Sequence, residues 1–130
     1  MNNMTQDEQL ALTINIMEIL DSWGMSASEI ISILSLPDKT PSRALRRYRE
    51  NTAFPFSAEV EERVDHILGI VDALRTSYPH NPNMAKMWIR QKSTKLNNQV
   101  PLKMIVEGGL EGLIGIRKHV DCSYDWHKDS

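Results

Sequence analysis

Lys39, Arg43, Arg46, Arg47 and Arg49 crowd into eleven residues of a chain whose formal net charge is −2. No Lys or Arg precedes them, while Asp7, Glu8, Glu18, Asp21 and Glu29 do. An acidic run, Glu59, Glu61, Glu62 and Asp65, follows. Guanidinium groups pair with phosphate oxygens and with the edge of guanine. A short basic face in an acidic protein therefore points to nucleic-acid contact. With two nearby hydroxyls, the candidate DNA-binding set is Lys39, Thr40, Ser42, Arg43, Arg46, Arg47 and Arg49. The alternative is the solvated face of an ordinary bundle helix.

Other chemistry finds less support. His66, His80, His119 and His127 have no His or Cys at a close metal-ligand spacing, so no metal site is expected. Cys122 has His119 and Asp121 as sequence neighbours, but neighbours along a chain are not a triad in space. A free thiol is the expectation. The run from Glu59 to Asp65 suits the first turn of a helix better than a pair of catalytic carboxylates. Gly108-Gly109 is a lone pair between helical segments, not a phosphate-cradling loop. No catalytic residue and no cofactor are expected, and the chain reads as a non-enzyme.

The elements that would hold these residues are all helical. Leu12, Ile16, Ile19, Leu20 and Trp23 recur at helical spacing over residues 7 to 23, and Gly24 is a plausible residue just past the helix end. Ser26-Ala27-Ser28-Glu29 fits a capping box, with Ile30, Ile33 and Leu34 as the buried stripe behind it. Pro37 is expected to stop this second helix. Thr40-Pro41 should open a third, with Thr40 as cap and Pro41 in the first helical position. In it Ala44, Leu45 and Tyr48 face inward and the arginines fan outward. Ser57 caps a long fourth helix to about Ser77, on which Val60, Val64, Ile67, Leu68, Val71 and Leu74 form the stripe. Asn81-Pro82 begins a short helix to about Gln91. Pro101 begins another, interrupted at Gly108-Gly109, and a last helix runs from Leu110 to about Val120.

With 130 residues, 41% hydrophobic and 25% charged, the chain has the composition of a globular protein of one domain or two small ones. No apolar run approaches the ~20 residues of a membrane helix. The first residues carry no basic stretch of the kind that opens a secretory signal. A single cysteine leaves no disulfide within the monomer and fits a reducing, cytoplasmic setting. Tyr124 and Trp126 stand among polar residues after the last helix. Aromatics so placed serve as interface anchors, or fold back onto the domain.

The C-terminal third carries a more particular pattern. Met84 to Ile89 includes Trp88. A polar stretch from Ser93 to Gln99 follows, then Pro101-Leu102, Gly108-Gly109, and the run from Leu110 to Val120. This order resembles the toxin-binding domain of the Xre/MbcA/ParS antitoxin family, with Gln91-Lys92-Ser93 where the family usually has proline-asparagine. The segment from Ser26 to Arg63 is similar to the Xre-like helix-turn-helix that precedes that domain, with a longer turn from Leu36 to Thr40. The resemblance implies an all-α protein. A helix-turn-helix domain would span 7–77 and a toxin-binding domain 78–122, with a tail over 123–130. It implies an antitoxin of a type II pair that neutralises a RES-domain, NAD-depleting toxin by direct binding. It also implies operator DNA as a second partner and a homodimer. Pro101, Leu102, Gly109, Leu113, Arg117, Tyr124, Asp125 and Trp126 are the implied toxin-binding residues. The competing expectations are a helix-turn-helix transcriptional regulator without a toxin, and a helical interaction module that does not bind DNA.

Overall fold

In the computed structural model, residues 3–37 and 39–129 are described, with side chains described as far as residue 122. Their regular structure is entirely helical, about 70% of the chain, with no strand. An isolated bridge joins Ser93 to Gln99. The all-α class expected from periodicity is what the chain adopts. The chain divides into two compact units, Met1–Val64 and Asp65–Ser130. The division falls inside a helix, whereas the sequence suggests a boundary at 77/78.

The first unit begins with α1 (Gln6–Ser22). The Thr5 hydroxyl accepts the Glu8 N–H at 3.1 Å, and the Glu8 carboxylate accepts the Thr5 N–H at 3.4 Å, a reciprocal cap. At the other end Gly24 takes a φ of 80°. The Gly24 N–H donates to Asp21 O at 3.0 Å and the Met25 N–H to Leu20 O at 3.3 Å. Both bonds belong to a Schellman ending, the role expected of Gly24. The buried face is Thr13, Ile16, Met17 and Leu20, with Trp23 buried just beyond. Leu12 and Ile19 are only half-buried. The stripe is turned toward Thr13 because that hydroxyl has partners. It donates to Gln9 O at 2.8 Å and accepts the Phe54 N–H at 3.0 Å.

The second helix, α2 (Ala27–Ile33), starts at the expected capping box of Ser26 and Glu29. It ends earlier than Pro37 predicts. Ser35 adopts a φ of 57°, and the Leu36 N–H returns to Ile31 O at 3.1 Å. This is again a Schellman ending, here on a serine. Arg63 adds a cation at the same end, its Nη1 donating to Ile33 O at 3.1 Å. The third helix, α3 (Ala44–Glu50), also departs from expectation. Thr40-Pro41 does not open it. Residues 41–46 instead climb through i to i+3 bonds, Ala44 N–H to Pro41 O at 2.9 Å and Leu45 N–H to Ser42 O at 3.1 Å. Regular helix begins only after Arg43, which has no side-chain capping bond. Leu45 is fully buried and α3 packs against α1. A connector without regular structure follows, in which Phe54 stands edge-on to both Tyr48 and Phe56. The unit closes on the first turns of α4 (Ala58–Ser77), where the Ser57 hydroxyl accepts the Val60 N–H at 3.3 Å, as expected.

The second unit takes up the rest of α4, which buries Ile67, Ile70, Ala73 and Leu74. Leu68 and Val71, expected in the stripe, are half-buried. Asn81 caps α5 (Pro82–Trp88) by accepting the Met84 N–H at 3.2 Å, and Pro82 occupies the first turn. Regular helix stops at Trp88, short of Gln91. A 3-10 turn (Thr94–Leu96) follows, with Asn97 and Asn98 both at positive φ. The Asn98 N–H donates to Ser93 O at 2.8 Å and the Ser93 N–H to Gln99 O at 3.0 Å, so the polar loop is a closed knot of hydrogen bonds. The last element, α6 (Pro101–Asp129), is two helical arms joined at a non-helical Gly109 (φ 60°, ψ −131°). Its helical turns continue to Asp129, past the expected end near Val120 and through the expected tail.

Gly109 is where the chain needs a glycine, because an L-residue pays heavily for that backbone conformation. The space beside it is open, so the requirement lies in the backbone alone. Gly112 is required for a different reason. A Cβ there would strike the carbonyl oxygen of Met104 and crowd Ile105 Cα at 3.0 Å. Residues eight apart in a straight helix lie about 12 Å apart along its axis. The two arms of α6 are therefore folded onto one another at Gly109, with backbone against backbone at Gly112.

Candidate functional site

The seven residues of the candidate DNA face all lie in the first unit. Lys39, Ser42, Arg43, Arg46 and Arg47 are exposed, and Thr40 is half-buried. Arg46 Nε meets Glu50 Oε1 at 3.3 Å, one turn along α3, where both side chains are well solvated. Such a pair is weak and leaves the guanidinium accessible. Arg49 is exposed like the others, but it is engaged. Its Nε and Nη2 donate to the two carboxylate oxygens of Asp21 at 2.8 and 2.9 Å, tying α3 to α1. That hydrogen bond, against a smaller opposing effect of burial, raises the Arg49 pKa further above its ordinary range. Arg43 and Arg47 have no partner among the described residues, so with Lys39 and Arg46 they make up the basic face.

Behind it lies a groove of about 480 Å³ lined by hydroxyls, among them Ser28, Ser32, Ser35, Thr40 and Ser42. Thr40 and Ser42 thus face α2 as well as solvent. Helices α2 and α3 have seven residues each. The long segment between them follows from the Schellman ending at Ser35 and the late start at Ala44.

In the second unit the structure joins two of the C-terminal motifs. Ile89, just after Trp88, is fully buried. Its carbonyl accepts the Leu102 N–H at 2.8 Å, and Pro101 beside it is buried. The polar loop between them is spanned by the Ser93–Gln99 bridge. Gly109 then turns the last helix, and Leu113 beyond it is fully buried. Pro101 and Leu113 accordingly shape this unit and offer little or no surface to a partner, while Gly109 is half-buried with open space beside it. Leu102 is half-buried. Arg117 is also engaged within the unit. Its Nη1 lies 3.1 Å from Asp65 Oδ2 and 3.2 Å from His66 Nδ1. Its guanidinium passes over Gly69, where any Cβ would collide with it. The side chains of Tyr124, Asp125 and Trp126 lie outside the described residues.

The second unit also has a cleft of about 320 Å³ that the sequence pattern does not reveal. Trp88 and His119 stack on one wall, their ring centroids 6.0 Å apart and planes 15° from parallel. Leu74 and Val120 line it with apolar surface, and Lys92, Ser93, Thr94 and Lys95 bring polar groups from the loop. Burial lowers the His119 pKa, and the charge of Lys95 lowers it further, so both favour the neutral ring. The sequence does hold a signal for this region. Between Asp72 and Glu107 there is no acidic residue, while Arg75, Lys86, Arg90, Lys92, Lys95 and Lys103 all fall there. The spacing of these cations is looser than that of the Arg43–Arg49 cluster, and a short counting window misses it.

Among the described residues no group of His, Cys, Asp and Glu is arranged to hold a metal ion. No helix among them is long and apolar enough to cross a membrane. Comparison with known proteins returns no match, whether to family models, to curated proteins or to solved structures.

Proposed function

We propose that this chain is the antitoxin of a type II toxin–antitoxin pair. Its second unit would bind and neutralise a RES-type toxin that degrades NAD, and its first unit would contact operator DNA. One observation carries the reading. Trp88-Ile89, Pro101-Leu102 and Gly109, far apart in sequence, cooperate in one small unit through the bond from Leu102 to Ile89 and the turn at Gly109. The resemblance to the Xre/MbcA/ParS toxin-binding domain thus rests on residues with a joint structural role. The DNA-binding part rests on the exposed cations Lys39, Arg43, Arg46 and Arg47, and operator half-sites would be met by two copies of the chain.

The test is co-expression of the full chain with the product of the adjacent gene. The reading expects that product alone to arrest growth and lower cellular NAD. It expects this chain to restore both and to co-purify with it. A harmless neighbour that does not bind would overturn it. The DNA part is tested on the promoter fragment. Arg43→Ala with Arg47→Ala should weaken binding and reduce the slope of log affinity against log salt by about 2, roughly one for each phosphate no longer neutralised. An unchanged slope would make these arginines solvated bystanders.

A further inference from the structure

We infer that the cleft between the Trp88–His119 stack and the loop carrying Lys92 and Lys95 is a docking site for an acidic, partly apolar segment of a protein partner. Two independent features converge on that ligand. The first is charge. The chain is acidic as a whole, yet residues 73–106 hold only cations, and two of them line this cleft. The second is apolar surface in the open. Met84 and Met87 are the exposed large hydrophobic residues of the described chain, at 42% and 47% of full exposure. Met84 lies one turn before Trp88 on α5, so the indole wall of the cleft continues along the helix as a methionine strip. Methionine adapts its shape to a partner at low cost, and lysines reward carboxylates that lie beside it.

A stacked ring with lysines also suits single-stranded nucleic acid. Two features favour the peptide. The exposed methionines offer nothing to a phosphate backbone, and Leu74 and Val120 give the cleft an aliphatic lining suited to a Leu or Phe side chain. That the partner is the toxin rests on the antitoxin reading, whereas the chemistry of the cleft does not.

Two measurements keep these apart. In the first, the full-length 15N-labelled chain is titrated with a 12-residue peptide alternating Glu with Leu and Phe, with a 12-nucleotide oligodeoxythymidine, and with inorganic phosphate. The peptide should shift the Trp88 indole N–H and the amides of residues 92–95. Lys92→Glu with Lys95→Glu, both at the surface, should weaken it about tenfold or more and flatten its salt dependence. No shift with the peptide would overturn the proposal, as would tighter binding of the oligonucleotide at the same resonances. In the second, the same double variant is co-expressed with the adjacent gene's product. Loss of the complex, with the variant's circular dichroism unchanged, assigns the cleft to the toxin. A complex that forms as well as with the unaltered chain overturns that assignment while leaving the antitoxin reading intact.

Discussion

The two units solve the problem of ending helices in opposite ways. In the first, side chains and local turns do it: capping boxes at Thr5 and Ser26, and Schellman endings at Gly24 and Ser35. Its helices share a buried apolar core, crossed by a few buried or half-buried polar ties, such as Thr13 to Phe54 and Arg63 to Ile33. In the second unit the backbone itself is bent and pressed together, by the two asparagines after the 3-10 turn, by Gly109, and by the close approach at Gly112. Their cations act differently too. Arg49 of the first unit ties two helices together through Asp21, while the charge of Lys95 in the second acts on the His119 ring. The first unit is stabilised by terms that can be altered singly. The second depends on geometry that one methyl group can break.

The largest effect should come from adding that methyl group. Gly112→Ala drives a Cβ into a carbonyl on the facing arm of α6, and neither backbone can yield without moving the arm. A loss of about 3 kcal/mol, the upper range for overpacking, is expected in urea unfolding. Gly115, with open space around it, is the matched control. Gly115→Ala should be neutral or stabilising by up to about 1 kcal/mol. Equal losses at both positions would remove the close approach as the explanation.

Next comes Thr13→Val in the first unit. The shape is kept, but the buried Phe54 N–H loses its acceptor, at a cost of about 1–3 kcal/mol. Hydrogen exchange at the Phe54 amide should speed up with it. A smaller change of opposite sign is expected at Ser35→Gly. Glycine accepts positive φ without penalty, so this variant should gain about 0.5–1 kcal/mol by thermal or urea unfolding. A loss would mean the serine hydroxyl matters more to the adjoining groove than the backbone does.

The smallest effect concerns His119. Its pKa is lowered in the folded protein, so acidification protonates the unfolded chain first. The stability tied to the neutral ring is whole above the unfolded value of 6.5 and is lost as pH falls below it toward the folded value. Unfolding at about pH 7.5 and about pH 5.5 should show a decline that His119→Asn removes. The half-exposed position of the ring keeps the difference small. No difference between the two proteins would mean that His119 is not the source of the decline.

How much can be read from the sequence follows the same division. The Ser26–Glu29 box, Gly24, Ser57 and Asn81-Pro82 are local signals, each needing only residues within one helical turn, and each acts as expected. Ser35 at positive φ has no such signal, since serine rarely takes that conformation, and Pro37 is the more obvious stop. The late start of α3 is hidden because Thr40-Pro41 satisfies every local rule for a cap. The pairing of Arg49 with Asp21 spans 28 residues, and periodicity carries no information about a partner so far away. The fold-back at Gly109 and Gly112 is visible in the sequence only as an interruption. The glycine spacing says where a chain can bend, not which backbone it will touch.

One feature reaches beyond folding. The boundary between the units lies within α4, so no loop separates them. A genetic crossover between the codons of Val64 and Asp65 would join two half-helices. Their hydrogen-bond ladder and apolar stripe would have to stay in phase across the cut. Breakpoints in the connector before Ser57 or near Pro79 leave the helix whole, but each hands one unit's share of it to the other. A lineage carrying this chain can exchange either unit only together with its stretch of α4. Within either unit, change that leaves the phase of α4 intact comes most simply by point substitution.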